Sequence, residues 1–421
     1  MAYKVAGIDI HKKVLMVVVA IGAEEVNDAS GQALEFVRRR FGTGHAERLH
    51  LVAWLQEQGV REVVMESTAQ YWRPVWLELE PHIEKLHLAQ AQSNRAPKGR
   101  KNDFGDAQRL ARRLMAGELI LSFVPEPEQR MWRSMTRGKQ QLIRERKRLQ
   151  SQVEALLEEA RIKLSSLISD LLGVSGRRIL RALAGGETDP AKLADLGDQR
   201  LQCTRDELID ALSGSAEPAH LQLLKMHLRR LDVLDDQIGE LHEMAAAALK
   251  KHEEAVLRLA EVPGLGVDSA QQIIAEIGFD ADAFPTADDL SSWIGVCPGS
   301  DKTAEENRSS RSPKGNRFMR RLLDQAAHAA VKKKGCHFQN VFRRFLPRQG
   351  YNGAIWTVAH RLARVVWKIL HDRVRYIERG SEPTPRAKKR RAQKLAKELQ
   401  KLGYNVTLTP VAPQDVEHAT A

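Results

Sequence analysis

The chain has 421 residues, 43% of them hydrophobic and 29% charged, with a formal net charge of +12 and a pI near 9.6. That length supports two or three domains with real apolar cores, and the basic excess favours a polyanionic partner, either nucleic acid or an anionic membrane surface. No apolar run approaches transmembrane length, the N-terminus lacks a signal-peptide apolar region, and Cys203, Cys297 and Cys336 show neither metal-ligand spacing nor a disulfide framework, so a cytoplasmic protein with no membrane association is expected.

Residues 4–20 read as two strands joined by a tight turn, Val-Ala-Gly-Ile-Asp9-Ile and then Val14–Ala20. Asp9 is an acid inside an apolar strand, costly unless it is paired, liganded or at a cleft. Residues 46–58 form an amphipathic helix carrying Leu49, Val52, Ala53 and Leu55. The strand Glu62-Val-Val-Met-Glu66 again ends in an acid, residues 71–79 are helical, and residues 85–91 make a further strand. Strands alternating with helices imply an α/β layer.

The stretch Lys98-Gly-Arg100-Lys101-Asn-Asp103-Phe-Gly-Asp106-Ala107 then opens a helix. Spacing of three puts Asp103 and Asp106 on one helical face, below a rim of Arg95, Lys98, Arg100 and Lys101. Acids also suit a helix start with no further role. Together with Asp9 and Glu66, however, they make four all-oxygen ligands, a set that suits two Mg²⁺ ions facing a phosphodiester.

Residues 137–167 are highly charged around a seam of Leu142, Leu149, Val153, Leu156, Ala160, Leu164 and Leu167. This predicts a long helix, either half of a coiled coil or a charged helix lying along its own domain. Small helices follow, broken at Gly185-Gly186 and Asp189-Pro190, and a second long helix after Pro218 carries Leu224, Leu228, Leu231, Leu234, Ile238 and Leu241. The pair suggests a helical arm.

Val262-Pro-Gly264-Leu-Gly266 between two helices resembles the helix-hairpin-helix of sequence-independent DNA binders, where glycines let the backbone approach a phosphate. A tight turn packed in a core is the alternative. Next, Gly295-Val-Cys-Pro-Gly299 leads into a polar loop holding Ser300, Thr303, Arg308, Arg311, Lys314 and Asn316. A hydroxyl among cations could attack a phosphodiester, or the loop could simply contact phosphate. Residues 335–377 interleave aromatics with arginines, and 386–391 form a dense basic run, as nucleic-acid binders do.

Asp9 in Gly-Ile-Asp-Ile, Glu66 in Met-Glu-Ser-Thr and Lys101-Asn-Asp103-x-x-Asp106-Ala resemble the insertion sequence 110 family of transposases, the bridge-RNA-guided DEDD recombinases. Val262-Pro-Gly-Leu-Gly266 and the Gly295-Val-Cys-Pro…Lys314-Gly-Asn316-x-x-x-Arg320-Arg321 block extend the similarity over nearly the whole chain. The resemblance implies an RNase H/RuvC-like N-terminal domain at 1–128, a coiled-coil-like helical arm at 129–256, a helical C-terminal transposase domain at 257–378 and a basic tail at 379–421. It implies Mg²⁺ on Asp9, Glu66, Asp103 and Asp106, and a loop hydroxyl that becomes joined to DNA. Acids and hydroxyl would form a composite site in a dimer or tetramer. A structured guide RNA would pair with double-stranded donor and target DNA. Nucleic-acid contacts fall to Lys98, Arg100, Lys101, Gly264, Gly266, Arg308, Arg311 and Lys314. One departure stands out: where the family usually has Ser, in Ser-Ala-Gly, this chain has Thr303, in Thr-Ala-Glu. Thr303 as nucleophile, a neighbour such as Ser300, and an inactive copy remain open.

The expected function is therefore a DNA transposase. The alternatives are a metal-dependent junction nuclease that uses water, and a non-catalytic nucleic-acid-binding protein descended from a transposase.

Overall fold

A computed structural model describes residues 3–22, 34–66, 69–91, 104–297, 301–303, 306–309, 312, 314–378 and 385–408. It divides into two compact units, Met1–Glu126 and Pro127–Ala421.

The first unit is a five-stranded mixed sheet with helices on both faces. Its elements are β1 (Tyr3–Ile10), β2 (Val14–Gly22), β3 (Glu35–Gly42), α1 (His45–Glu57), β4 (Glu62–Glu66), α2 (Trp72–Leu79), β5 (Lys85–Ala89) and α3 (Gly105–Met115). Strand order is β3-β2-β1-β4-β5. β1 runs antiparallel to β2 and parallel to β4. The apolar run of β2 is buried on both faces because it lies inside the sheet.

Alternation along the strands decides which helix each residue meets. Ala6, Ile8 and Ile10 of β1, with Val63 and Met65 of β4, pack under Leu51, Leu55, Val75 and Leu79 of α1 and α2. The opposite parity, Val5 and Val64, packs with Leu110 and Ala111 of α3. Asp9 and Glu66 share that second parity, so both belong to the α3 face.

β3 was not expected from the sequence. Arg38, Arg39 and Arg40 interrupt the apolar alternation, as the exposed face of an edge strand allows. The helix expected across the acidic pair begins at Gly105; Asp103 lies outside the described residues.

The second unit is helical apart from one short hairpin among its described residues. α4 (Pro127–Glu159) is followed by α5 (Leu164–Leu167), α6 (Val174–Ala184), α7 (Pro190–Ala194) and α8 (Arg205–Leu212). α9 (Pro218–Ala248) returns along α4. The seam Leu149, Val153 and Leu156 meets Leu224, Leu228 and Leu231, and the small helices close over it with Ile179, Leu180, Leu208 and Leu212. The first long helix starts earlier and stops sooner than its seam predicts. It ends in a turn at Arg161, φ 58°, because Ala160, Ile162 and Leu164 are buried in the core shared with the small helices.

The remaining elements are α10 (Glu253–Ala260), α11 (Val267–Ile277), α12 (Ala287–Ile294), the hairpin β6 (Asp301–Thr303) and β7 (Glu306–Ser309), α13 (Arg317–Ala330), α14 (His337–His371) and α15 (Pro385–Lys401). The polar loop of the sequence thus contains a paired ladder, and the basic run lies on a helix. α14 is broken at Gly350, φ 69°. Within the C-terminal aromatic set Phe338 is fully buried, whereas Tyr351 is 52% exposed. No helix among the described residues is long and apolar enough to cross a membrane.

One buried acid ties this unit together. Glu276 on α11 is 2% exposed. It accepts from Arg137 Nε at 2.7 Å and Nη2 at 2.8 Å, and from Asn316 Nδ2 at 2.8 Å. Burial pushes its carboxyl up, but Arg137, Arg133 and Asn316 together outweigh burial and hold it below the usual range. A depressed folded value means the stabilisation is fully present above the unfolded carboxyl value, roughly 4.3, and is lost as pH falls through the folded one. Glu276→Gln should cost about 3 kcal/mol at pH 7, since it leaves Arg137 facing an uncharged partner. Urea unfolding checks this; the gap between wild type and variant should close as pH falls below 4.5.

Candidate functional site

The acidic site is built where β1 and α3 touch. A Cβ on Gly7 would lie 2.1 Å from the Ala107 carbonyl oxygen and 2.8 Å from the Ala111 nitrogen. Only glycine admits this approach, and Ala107 and Ala111 complete it with the smallest side chains. The helix therefore sits directly on the strand, two residues from Asp9, and Asp106 precedes the contact by one residue.

The Asp9 side chain is 16% exposed and lies 3.1 Å from His11 Nε2. Burial is the main cause that raises its carboxyl above the usual range; His11 opposes this and Asp106 adds to it, as a like charge does. Asp106 is held by Arg109 Nη1 at 2.5 Å, and Arg109 Nε is buried with no hydrogen-bond partner. Glu66 closes β4. Ile8 pairs with Met65 in the parallel register, so Asp9 and Glu66 follow side by side at the carboxyl ends of adjacent parallel strands. That edge is where ligands bind in open α/β sheets.

Asp9, Glu66 and Asp106 thus gather at one edge on one face. Among the described residues no group of three acidic, histidine or cysteine side chains is close enough to hold a metal ion. The acid at 103 and the cations Lys98, Arg100 and Lys101 lie outside the described residues. Two like charges that face each other across a buried strand end suit a cation, and the all-oxygen donors suit a hard one. The sequence reading missed His11 and Arg109 as partners of the acids. For Arg109 the signal was present, since a cation three residues after Asp106 meets it on a helix.

The second candidate site lies in the helical unit. Only the backbone of residues 301–303 and 306–309 is described. Thr303 ends β6 opposite Glu306, and Arg308 lies within β7. Arg311 falls outside the described residues, and Lys314 is exposed just before α13. The expected hairpin glycines differ from each other. Gly264, φ 88°, has its bare face 2.2 Å (as an added Cβ) from the Ala326 carbonyl of α13, so its missing side chain serves packing. Gly266 has open space around it.

Two stretches of this chain match known transposases. Residues 6–162 match the DEDD transposase family of IS110, and residues 256–343 match the transposase IS116/IS110/IS902 family. Over 146 residues the chain is 26% identical to the Insertion element IS900 uncharacterized 42 kDa protein of Mycobacterium paratuberculosis, covering 34% of this chain and 36% of that protein. The match thus spans little more than a third of that relative's length. The chain belongs to the IS110 family of transposases.

The Gly7 contact is directly testable. Gly7→Ala should cost about 2–3 kcal/mol as an overpacked site, read by urea unfolding with tryptophan fluorescence. A cost under about 0.5 kcal/mol, typical of a surface substitution, would show that α3 does not press on β1.

Proposed function

We propose that the protein is a DNA transposase that cuts and rejoins strands through acids in its first unit and a loop hydroxyl in its second. The observation that carries this reading is the placement of Asp9 and Glu66 at neighbouring strand ends, with Asp106 in the field of Asp9, in a chain of the IS110 family. Asp9, Glu66, Asp103 and Asp106 would hold Mg²⁺, as a pair of ions in the sense that four carboxylates balance two divalent charges. When bound, such ions stabilise the attacking and leaving oxygens of an in-line phosphoryl displacement.

The hydroxyl is assigned to Thr303. Its hydroxyl gives up its proton as the oxygen bonds to phosphorus, the bond from phosphorus to the leaving strand's oxygen breaks, and that oxygen takes up a proton, so that one phosphodiester replaces another with no net change in protons. Threonine keeps the hydroxyl but stiffens χ1, which narrows the attack geometry. Arg308, Arg311 and Lys314 contact phosphate, as do Lys98, Arg100 and Lys101, which precede Asp103 in the chain. Gly266, at the open start of α11, is better suited to approach a phosphate than Gly264 in its helix-hairpin-helix. A structured RNA supplies sequence choice by base pairing, so that the protein reads backbone and shape. The paired α4–α9 arm serves homo-oligomer assembly as a coiled-coil device.

Asp106→Asn should abolish a covalent protein–DNA adduct while RNA binding persists. Thr303→Ala should abolish the adduct as well. Hydrolysed DNA with no adduct in the wild type would identify a nuclease that uses water. Unchanged function in both Asp9→Ala and Asp103→Ala would favour a non-catalytic nucleic-acid-binding protein and overturn both enzyme readings.

The basic C-terminal segment gives a separate test. Deleting residues 379–421 should weaken nucleic-acid binding and flatten its salt dependence, because fewer counterions are released. Affinity measured across a salt series checks this, and an unchanged slope would make the segment a bystander.

A further inference from the structure

The ends of the polar loop are fastened to each other and to α4. Gly315 lies against the end of α12, where an added Cβ would sit 2.2 Å from the Ile294 carbonyl. Asn316 N donates to the Trp293 carbonyl at 3.1 Å. Asn316 also starts α13, its Oδ1 accepting from Phe318 N at 2.9 Å and Met319 N at 3.1 Å. Its remaining amide donor goes to Glu276.

Glu276 in turn is held by α4, whose two arginines bracket the loop. Arg133 lies 5.9 Å over the Trp293 ring before it, and Arg137 lies 4.6 Å over the Phe318 ring after it. Arg133 also donates to the carbonyls of Ala275 and Glu276, at the end of α11. Burying an acid here carries a desolvation cost that a packed apolar side chain would avoid. The arrangement costs least explanation if the acid orients something.

We infer that Glu276 is a positioning residue. Through Asn316, and held by Arg137 and Arg133, it fixes the point at which the chain that carries the β6–β7 hairpin rejoins the helices, and so where the hairpin with Thr303 is held. This rests on the reading of Thr303 as nucleophile, but the clamp itself is testable without it.

The test moves one charge by one hydrogen bond. Asn316→Asp keeps the helix cap but replaces the donor to Glu276 with a like charge. Adding Glu276→Gln removes the like charge and lets its amide donate to the new carboxylate at position 316, at the expense of one arm of the Arg137 fork. In Asn316→Asp, hydrogen exchange of the β6 and β7 amides should rise at least tenfold, with exchange in α11 and α13 little changed. On a supercoiled plasmid carrying the element in its native flanks, adduct formation should slow at least tenfold while DNA affinity holds. The double variant should recover part of both losses, because the repulsion is relieved while one arm of the Arg137 fork stays broken. Arg137→Lys, which keeps the charge but not the fork, should produce the same selective rise and guards against misfolding of the first variant. Unchanged hairpin exchange, no recovery in the double variant, or exchange rising equally across α11 and α13 would each overturn the inference. If Thr303→Ala still forms the adduct, the nucleophile assignment fails, while the exchange data still decide the clamp.

Discussion

The first unit depends on one backbone contact, that of α3 on β1 at Gly7. Hydrophobic burial alone is non-directional and would allow α3 to settle at several depths over the sheet. The absent side chain at Gly7, with Ala107 and Ala111 above it, admits one close seat. That seat brings Asp106 into the field of Asp9. An acid that would be expensive in an ordinary strand becomes part of a set, and the cost of burying it is what a cation would offset.

The helical unit is held by two different kinds of interaction. Away from the polar loop, the α4–α9 pair and the small helices share a continuous leucine-rich core, which stabilises without selecting fine geometry. Near the loop, the same α4 turns to arginines. Arg133 and Arg137 meet Glu276 and two aromatic rings, a network whose bonds have fixed directions. One helix therefore carries packing along one part of its length and orientation along another. Lys139 extends the pattern, buried at 4% exposure and paired with Asp268 of α11.

Glycine served the two units in similar ways. Gly264 stood out in the sequence as a residue that lets backbone approach phosphate; in the fold its bare face meets α13. Gly7, unremarked in the sequence, has the same kind of use against α3. A glycine's spacing marks a close approach, but what approaches is a tertiary fact.

Much was legible in the one-dimensional pattern. Strand alternation and helix periodicity placed the central sheet, the long arm and the α10–α11 pair, because burial imposes those periods locally. Acids at the ends of apolar strands marked Asp9 and Glu66 as costly residues, and motif order pointed to the family. The edge strand β3 was hidden, since exposed arginines carry no apolar alternation. The hairpin β6–β7 was hidden because a short ladder in a polar segment has no hydrophobic signature. The sequence by itself determined which acids would be expensive to bury and on which elements they ride. Only the tertiary structure decided that strand parity turns Asp9 and Glu66 toward α3, that Gly7 seats α3 so that Asp106 lies in the field of Asp9, and that Glu276 holds Asn316, because such contacts join residues whose separation along the chain leaves no local trace.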